Sequence, residues 1–193
     1  DVTIDSPKYQ LVYDADVKVY ENLGALPRAF TMPIGCETIT DNPLAALKQY
    51  DPRTTVILDV TPAQVMTPEA QRSGAGVQPL ALDSRVGGTD TFPCIVIPAD
   101  VIDYRLNDVV IKTQADQPSW LVLADTYFTG WQAFDVQGDG TAQEIPISRA
   151  YGNFRAVQIG AGEDTIHFKY SPMSFKLGLF IYFMAWKVVI LLG

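Results

Sequence analysis

Histidine is nearly absent from the sequence, which has a single one, His167, among 193 residues. Any catalytic pair of serine or cysteine with histidine would have to use this residue. Period-2 alternation in the segment 165–170 puts His167 on one strand face with Thr165 and Lys169, away from the apolar face. The sequence also has no G-x-S-x-G motif that would supply a nucleophile. We therefore predict a surface histidine, no catalytic residue, and a chain that is not an enzyme by itself.

Cysteine is also scarce, because the chain has only Cys36 and Cys94. Two thiolates cannot complete a tetrahedral zinc site by themselves. Two alternatives remain open. The thiols form one disulfide that closes a long loop in an oxidising compartment, or they are separate buried thiols in the cytoplasm. The extracytoplasmic placement argued below favours the disulfide.

Nucleotide- and metal-binding motifs are missing as well. The sequence contains no P-loop and no G-x-G-x-x-G motif. Asp135 and Asp139 flank a glycine-rich turn, but their spacing is not that of a calcium-binding EF-hand loop. A tight hairpin turn explains this segment better. We therefore predict no cofactor and no metal.

Basic residues are fewer than acidic ones. The chain has 14 Lys and Arg against 22 Asp and Glu, a formal net charge of −8. Nucleic acids and anionic lipid surfaces are bound through clustered Lys and Arg side chains. The composition therefore argues against nucleic acid as a partner.

Short strands dominate what the sequence does contain. Alternating or β-branched segments predict a hairpin at 9–22 and strands at 26–33, 54–60, 93–98, 103–114, 119–127, 131–137, 143–150, 154–160 and 165–170. Asp41-Asn42-Pro43 predicts the start of one short helix, and the glycines at 138–140 and 160–162 predict hairpin turns. We expect an all-β sandwich of the jelly-roll or Ig-like type over residues 1–172, with a loop-rich excursion at 61–92.

The last segment, 173–193, is apolar on every side. Ten consecutive residues between Lys176 and Lys187 carry no charge. A helix without a polar face is buried in a core or in a membrane, and we predict a transmembrane helix, with a buried core helix as the alternative. Its helical stretch from Leu177 would span about 24 Å, slightly less than a hydrocarbon core of about 30 Å. The positions that we assign to the membrane are Leu177, Phe180, Tyr182 and Trp186.

An aromatic cluster stands just after the strand at 119–127. It consists of Tyr127, Phe128 and Trp131. Exposed aromatic rings on a β-sandwich are typical of sugar binding, because sugar rings stack on their faces. The alternative, which the sequence favours for Trp131, is that the ring packs and closes one end of the sandwich.

Several motifs in the same order resemble the C-terminal region of the YfhO-like bacterial membrane proteins, polytopic proteins related to glycosyltransferases that use lipid-linked sugars. The motifs are V-K-V-Y-E-N-L-G-A-L-P-R-A-F (17–30), Y-D-P-R-T-T-V-I-L (50–58), D-T-Y-F-T-G-W (125–131), R-A-Y-G-N-F-R-A-V (149–157) and H-F-K-Y-S-P (167–172), followed by the apolar helix. The resemblance covers nearly the whole chain and thins at 61–95. Gly160 and Gln132 depart from it, since the family more often has proline and a basic residue there.

The resemblance implies the extracytoplasmic β-sandwich of a bacterial cell-membrane protein, with the lipid bilayer as a partner. It carries over no catalytic residue, because the family's catalytic acid lies in an N-terminal loop. It implies recognition of a glycan, a lipid-linked sugar or another membrane protein subunit, with Tyr127, Trp131, Arg149 and Arg155 as ligand-binding candidates. The alternative is a single-span accessory subunit of a larger bacterial membrane protein complex.

Overall fold

The structure, a computed structural model, describes residues 6–59 and 93–192. The loop-rich excursion predicted at 61–92 lies outside these residues. In chain order the elements are β1 (Tyr9–Asp14), β2 (Lys18–Asn22), β3 (Ala29–Pro33), β4 (Glu37–Thr40), α1 (Pro43–Ala46), β5 (Val56–Asp59), β6 (Ile97–Pro98), β7 (Asp100–Arg105), β8 (Asp108–Ala115), β9 (Ser119–Thr126), β10 (Trp131–Val136), β11 (Ala142–Ile145), β12 (Ser148–Ala150), β13 (Phe154–Ile159), β14 (Gly162–Tyr170) and α2 (Met173–Leu192).

Two sheets face each other across an apolar core. The larger sheet has seven strands in the order β4-β5-β12-β13-β9-β3-β6, and the smaller has five in the order β11-β10-β14-β8-β7. Buried side chains from the two sheets meet between them, among them Leu121 and Val157 from the larger sheet and Ile166 and Phe168 from the smaller. The mostly β, sandwich-like fold confirms the all-β prediction, and the burial of Ile166 and Phe168 follows the predicted alternation of β14.

The larger sheet is also buried on its outer face. A second apolar cluster there includes Phe30, Met32 and Trp120, and Ala46 of α1 packs into it. The short helix α1 begins as predicted, since the Asn42 side chain accepts a hydrogen bond from the Ala45 amide at 3.1 Å and Pro43 follows the cap. It ends at Ala46, so it is a short helix, as predicted, and has four residues.

A disulfide lies in this second cluster. Cys36, which is buried, bonds Cys94, and their Cα atoms lie 5.7 Å apart. The two cysteines are 58 residues apart in sequence, so the bond closes a long loop, the first of the two alternatives that the sequence leaves open.

Three predicted elements differ in the structure. The strand predicted at 103–114 is a hairpin of β7 and β8, which turns at Leu106 and Asn107. The strand predicted at 143–150 is divided between the sheets, with β11 in the smaller and β12 in the larger, because Pro146 cannot continue the backbone ladder. The glycine turn at 160–162 is a crossover from β13 to β14 in the other sheet rather than a hairpin turn.

The hairpin predicted at 9–22 is present as a separate two-stranded sheet of β1 and β2. It exposes several large apolar side chains, among them Val12, Tyr13 and Val17. An isolated two-stranded hairpin is at best marginally stable in water. The hairpin therefore presents an apolar surface that no other element in the described part of the chain covers.

The C-terminal segment is a helix, as predicted, but no helix among residues 6–59 and 93–192 has both the length and the apolarity needed to cross a bilayer. The two lysines Lys176 and Lys187 limit the uncharged stretch of α2 to ten residues. This finding gives no support to the transmembrane prediction for 173–193. The alternative of a buried core helix is wrong, because the predicted membrane positions Leu177, Phe180, Tyr182 and Trp186 are all exposed.

Candidate functional site

A cleft of about 1030 Å³ opens at one end of the sandwich. The β7–β8 turn forms one wall, and the segment after β9 forms the other. The lining combines guanidinium groups, carboxylates and aromatic rings from both sheets, and the side chains that matter most are Arg28, Tyr104, Asp125, Phe128, Trp131 and Arg155. Loops at the strand ends of a sandwich are common places for binding sites.

Asp125, at the end of β9, is the centre of the polar lining. Its Oδ1 accepts a hydrogen bond from Arg28 Nη2 at 2.8 Å, and its Oδ2 accepts one from Arg155 Nη2 at 3.1 Å. The Tyr104 hydroxyl donates to the same Oδ2 at 3.1 Å and accepts from Arg28 Nη2 at 2.5 Å. Only 10% of the Asp125 side chain is exposed. One carboxylate therefore accepts hydrogen bonds from two guanidinium groups. Its hydrogen bond with Tyr104 also links the smaller sheet to the larger sheet.

Arg155, on β13, is a buried cation with 3% of its side chain exposed. Its guanidinium carbon lies 3.9 Å from the ring centre of Trp131 and 5.4 Å from that of Phe168. Its Nε and Nη1 have no hydrogen-bond partner among the described residues. Burial lowers the pKa of Arg155 and the Asp125 carboxylate raises it, and an arginine in this position stays charged at neutral pH. The ring faces and Asp125 together offset the cost of burying this charge.

Arg28, just before β3, lies at the mouth of the cleft with 56% of its side chain exposed. Its guanidinium carbon stands 4.4 Å from the centre of the Tyr104 ring. The hydrogen bond to Asp125 raises the pKa of Arg28. Its charge is thus both fixed in position and accessible to solvent.

The aromatic rings of the cleft differ in how much surface they offer. Trp131 is half-buried, with Arg155 on its ring and Tyr170 at 5.3 Å between ring centres, and it packs against the core between the sheets. Gly130 precedes it with φ of 105°, and a Cβ atom there would lie 2.9 Å from Pro172 Cβ, so the turn requires glycine. Phe128 is 59% exposed and is the ring most open to a ligand.

The four predicted ligand-binding residues divide into two pairs. Trp131 and Arg155 both line the cleft. Tyr127 and Arg149 do not line it, and instead the Arg149 guanidinium stands 6.0 Å from the Tyr127 ring and forms an ion pair with Asp59. Arg149 and Arg155 are directly opposed on β12 and β13, which places the second pair beside the cleft.

His167 borders the cleft through a partner that the sequence did not predict. Its Nε2 contacts the Asp108 carboxylate, and Asp108 is part of the cleft lining. The imidazole is half-buried rather than fully exposed. Asp108 stands at the start of β8 and His167 on the adjacent β14, where the antiparallel register brings them together.

Sequence reasoning missed Arg28 and Tyr104 altogether. They lie 97 and 21 residues from Asp125 in the chain. Pairing of β3 with β9 brings Arg28 to Asp125, and packing of the smaller sheet on the larger one brings Tyr104 there. Asp125 is part of the D-T-Y-F-T-G-W motif, but nothing in that motif marked it as the centre of a cluster.

The side chains that line the cleft are suited to ligand binding. Within the described ranges no group of three or more metal-ligating side chains is found. What the lining does offer is a set of fixed hydrogen-bonding groups, guanidinium charge and one open ring face. These are the means by which polar ligands with an apolar face are recognised.

Comparison with models of protein families finds no match for this chain, and comparisons with curated proteins and with solved structures find none either. The resemblance to the YfhO-like membrane proteins therefore stays a prediction from sequence motifs.

Proposed function

We propose that this chain is a non-catalytic, extracytoplasmic β-sandwich of a YfhO-like bacterial membrane protein, and that it binds a glycan or a lipid-linked sugar in the cleft around Asp125. The observation that carries the proposal is the cleft itself. Asp125, Arg28 and Tyr104 hold their polar groups in one place, and the exposed ring of Phe128 stands on the same lining.

Sugars require both of these features. Their hydroxyl groups pair with charged and polar side chains whose geometry is already fixed, and their apolar C–H faces stack on aromatic rings. Phe128 has an open face for stacking, whereas the ring of Trp131 is already engaged by Arg155. We therefore assign stacking to Phe128 and a packing role to most of Trp131.

The disulfide supports the extracytoplasmic placement. Disulfides form and persist in oxidising compartments and are rare in the cytosol. Cys36 and Cys94 are paired, and Cys36 belongs to the buried cluster behind the larger sheet. Such a bond acts as a structural staple of the domain.

The helix α2 supports attachment to a membrane or to the membrane-embedded part of the protein. Its described side chains are exposed, and they include large apolar residues on every side, such as Phe175, Phe180, Ile181 and Phe183. A helix that docks on one soluble partner has one apolar stripe. A helix that is apolar all round suits an apolar environment on all sides.

The test is glycan binding by the intact chain in detergent micelles, measured on an array of bacterial cell-envelope saccharides. The variant Phe128→Ala is expected to lose about fivefold or more in affinity, if a sugar stacks on the ring as strongly as a nucleic-acid base, at roughly 1–3 kcal/mol. Tyr50→Ala, which removes another exposed ring far from the cleft in sequence, is the matched control and should bind like the parent. Absence of binding to every saccharide, or equal losses in both variants, would refute the proposal.

A second candidate is an accessory subunit of a larger bacterial membrane protein complex, without a role in sugar recognition. The hairpin β1–β2 favours it, because its exposed apolar side chains form a surface suited to a protein partner. The mass of the native polypeptide extracted from membranes separates the candidates. A polytopic protein several times heavier than 21.2 kDa supports the first, and a chain near that mass supports the second.

A further inference from the structure

We propose that the ligand of the cleft is an acidic carbohydrate, whose carboxylate or phosphate group is received by Arg28 at the mouth of the cleft. This inference rests on the proposed function and narrows its ligand class from sugars in general to sugars that carry a negative charge.

The lining of the cleft is rich in arginine, whereas the chain as a whole is acidic. The cleft is lined by three arginines, Arg28, Arg105 and Arg155, and by two aspartates, Asp108 and Asp125. The chain as a whole carries a formal charge of −8. Within this acidic chain, guanidinium groups of the lining that lack a full counter-charge attract anions to the cleft.

The guanidinium groups that lack a full counter-charge are the two that share the carboxylate of Asp125. Asp125 is the counter-charge of both Arg28 and Arg155, so one positive charge of this trio is not balanced within it. The two guanidiniums also repel each other, and this repulsion contributes to the lowered pKa of Arg155. A ligand anion would supply the second counter-charge.

Arg28 is the residue able to meet that anion. Its described hydrogen bonds use Nη2 alone, so the donors of Nε and Nη1 are not engaged within the described part of the chain. The side chain is held in place by Tyr104 and Asp125 and is still more than half exposed. A guanidinium edge fixed in this way matches the paired oxygens of a carboxylate or phosphate.

The other two charged residues of the lining, Arg105 and Asp108, make contacts of their own. Arg105 forms an ion pair with Asp103 at 3.0 Å, and Asp108 contacts His167. Arg155 is too deeply buried to reach a ligand directly, but its charge acts through a medium of low polarity and is weakly screened. The geometry therefore directs the anionic group to Arg28 and the apolar face of the sugar to Phe128.

The experiment compares matched sugar probes, one with an anionic group and one without it. One pair is a galacturonic acid tetramer and its methyl ester, and the other is glucose 6-phosphate and glucose. Binding to the intact chain is measured by titration calorimetry at 50 mM and 500 mM NaCl. The parent is compared with Arg28→Gln, which keeps a hydrogen-bond donor but removes the charge, and with Arg53→Gln as a control at an exposed arginine that donates to Gly24 O.

We expect the charged member of at least one pair to bind roughly tenfold tighter, the value of a hydrogen bond to a charged group. Arg28→Gln should remove this preference for the charged probe, while Arg53→Gln should keep it. High salt should weaken binding of the charged probe alone. The pair that shows the preference identifies the anion as carboxylate or phosphate.

Two results overturn the inference, and they are distinguishable. If neutral and charged probes bind equally and Arg28→Gln has no selective effect, glycan binding stands and the acidic ligand class is wrong. If no probe binds and the array shows no saccharide either, the proposed function fails together with the inference.

Discussion

Asp125 is the residue on which the cleft depends most. Replacing it by asparagine keeps the shape of the side chain but leaves the buried Arg155 without its counter-charge. We expect Asp125→Asn to lower the free energy of unfolding by about 3 kcal/mol or more, measured by urea denaturation. Adding Arg155→Met should recover part of this loss, because the buried charge is then gone. Losses that simply add would contradict the coupling.

Substitutions of Trp131 and Phe128 should distinguish an aromatic ring that packs against the core from one that is open to a ligand. Trp131 packs against the core and stacks on Arg155, so Trp131→Ala should cost about 3 kcal/mol of stability. Phe128 is largely exposed, so Phe128→Ala should change stability by no more than about 0.5 kcal/mol. Thermal unfolding of both variants checks this. A Trp131→Ala variant as stable as the parent would show that the ring does not belong to the core.

Asp135, on β10, should make stability depend on pH. Burial, and after it the negative charge of Asp164, raise the pKa of Asp135 above its ordinary value of 3.8. The folded state therefore holds this proton more tightly than the unfolded state, and the contribution of Asp135 to stability is lost as the pH rises through the raised pKa. We expect Asp135→Asn to be more stable than the parent at pH 7.

The difference between Asp135→Asn and the parent should shrink as the pH falls toward 3.8, since the parent then carries a neutral carboxyl group. Asp139→Asn is the control, because the hydrogen bonds from Thr141 lower the pKa of Asp139 instead. A Asp135→Asn variant less stable than the parent at pH 7 would contradict the raised pKa.

At the scale of elements, the disulfide should be the single bond that contributes most to the free energy of unfolding. It links residues 58 positions apart, and closing a loop of that length in the unfolded chain corresponds to about 4 kcal/mol. The double variant Cys36→Ser/Cys94→Ser should lose stability of this order in urea denaturation. Reducing agent should destabilise the parent to a similar extent and leave the double variant unchanged. A parent that is insensitive to reduction would argue against the bond.

Elements whose sequence signal lies in neighbouring residues were predicted correctly. The alternation of β14, the hairpin at 9–22 and the cap at Asn42 are all read from neighbouring residues, and each is present. The hairpin of β7 and β8 was missed although Asn107 and Asp108 are turn-forming residues, because the segments on both sides of them were predicted as one strand. The division of 143–150 was missed because a strand that changes sheets looks, along the sequence, like one strand.

The candidate site was predicted less well, for a related physical reason. Trp131 and Arg155 are on the cleft lining, while Tyr127 and Arg149 are beside it. Arg28 and Tyr104 organise the cleft, and they meet Asp125 through pairing of distant strands and through packing of the two sheets, respectively. No spacing along the chain encodes that meeting.

For the whole molecule, α2 should control association. Its exposed apolar side chains have no partner element among the described residues, so the intact chain should self-associate in aqueous buffer and become monodisperse in detergent. A chain ending at residue 172 should be monomeric and keep the unfolding midpoint of the sandwich, because the described side chains of α2 are exposed rather than packed. Light scattering after gel filtration checks both. A truncated chain that fails to fold would show that α2 is part of the core.

Because the carboxylate of Asp125 bonds side chains of both sheets, the geometry of the cleft also depends on the position of one sheet relative to the other. Tyr104 comes from the smaller sheet and its partners Arg28, Asp125 and Arg155 from the larger, so the cluster is a latch between two layers that otherwise touch through apolar side chains. A slip of one layer by one residue, about 3.3 Å, far exceeds what a hydrogen bond tolerates. Core substitutions that loosen the layers, however distant from the cleft, should therefore weaken ligand affinity before they unfold the domain.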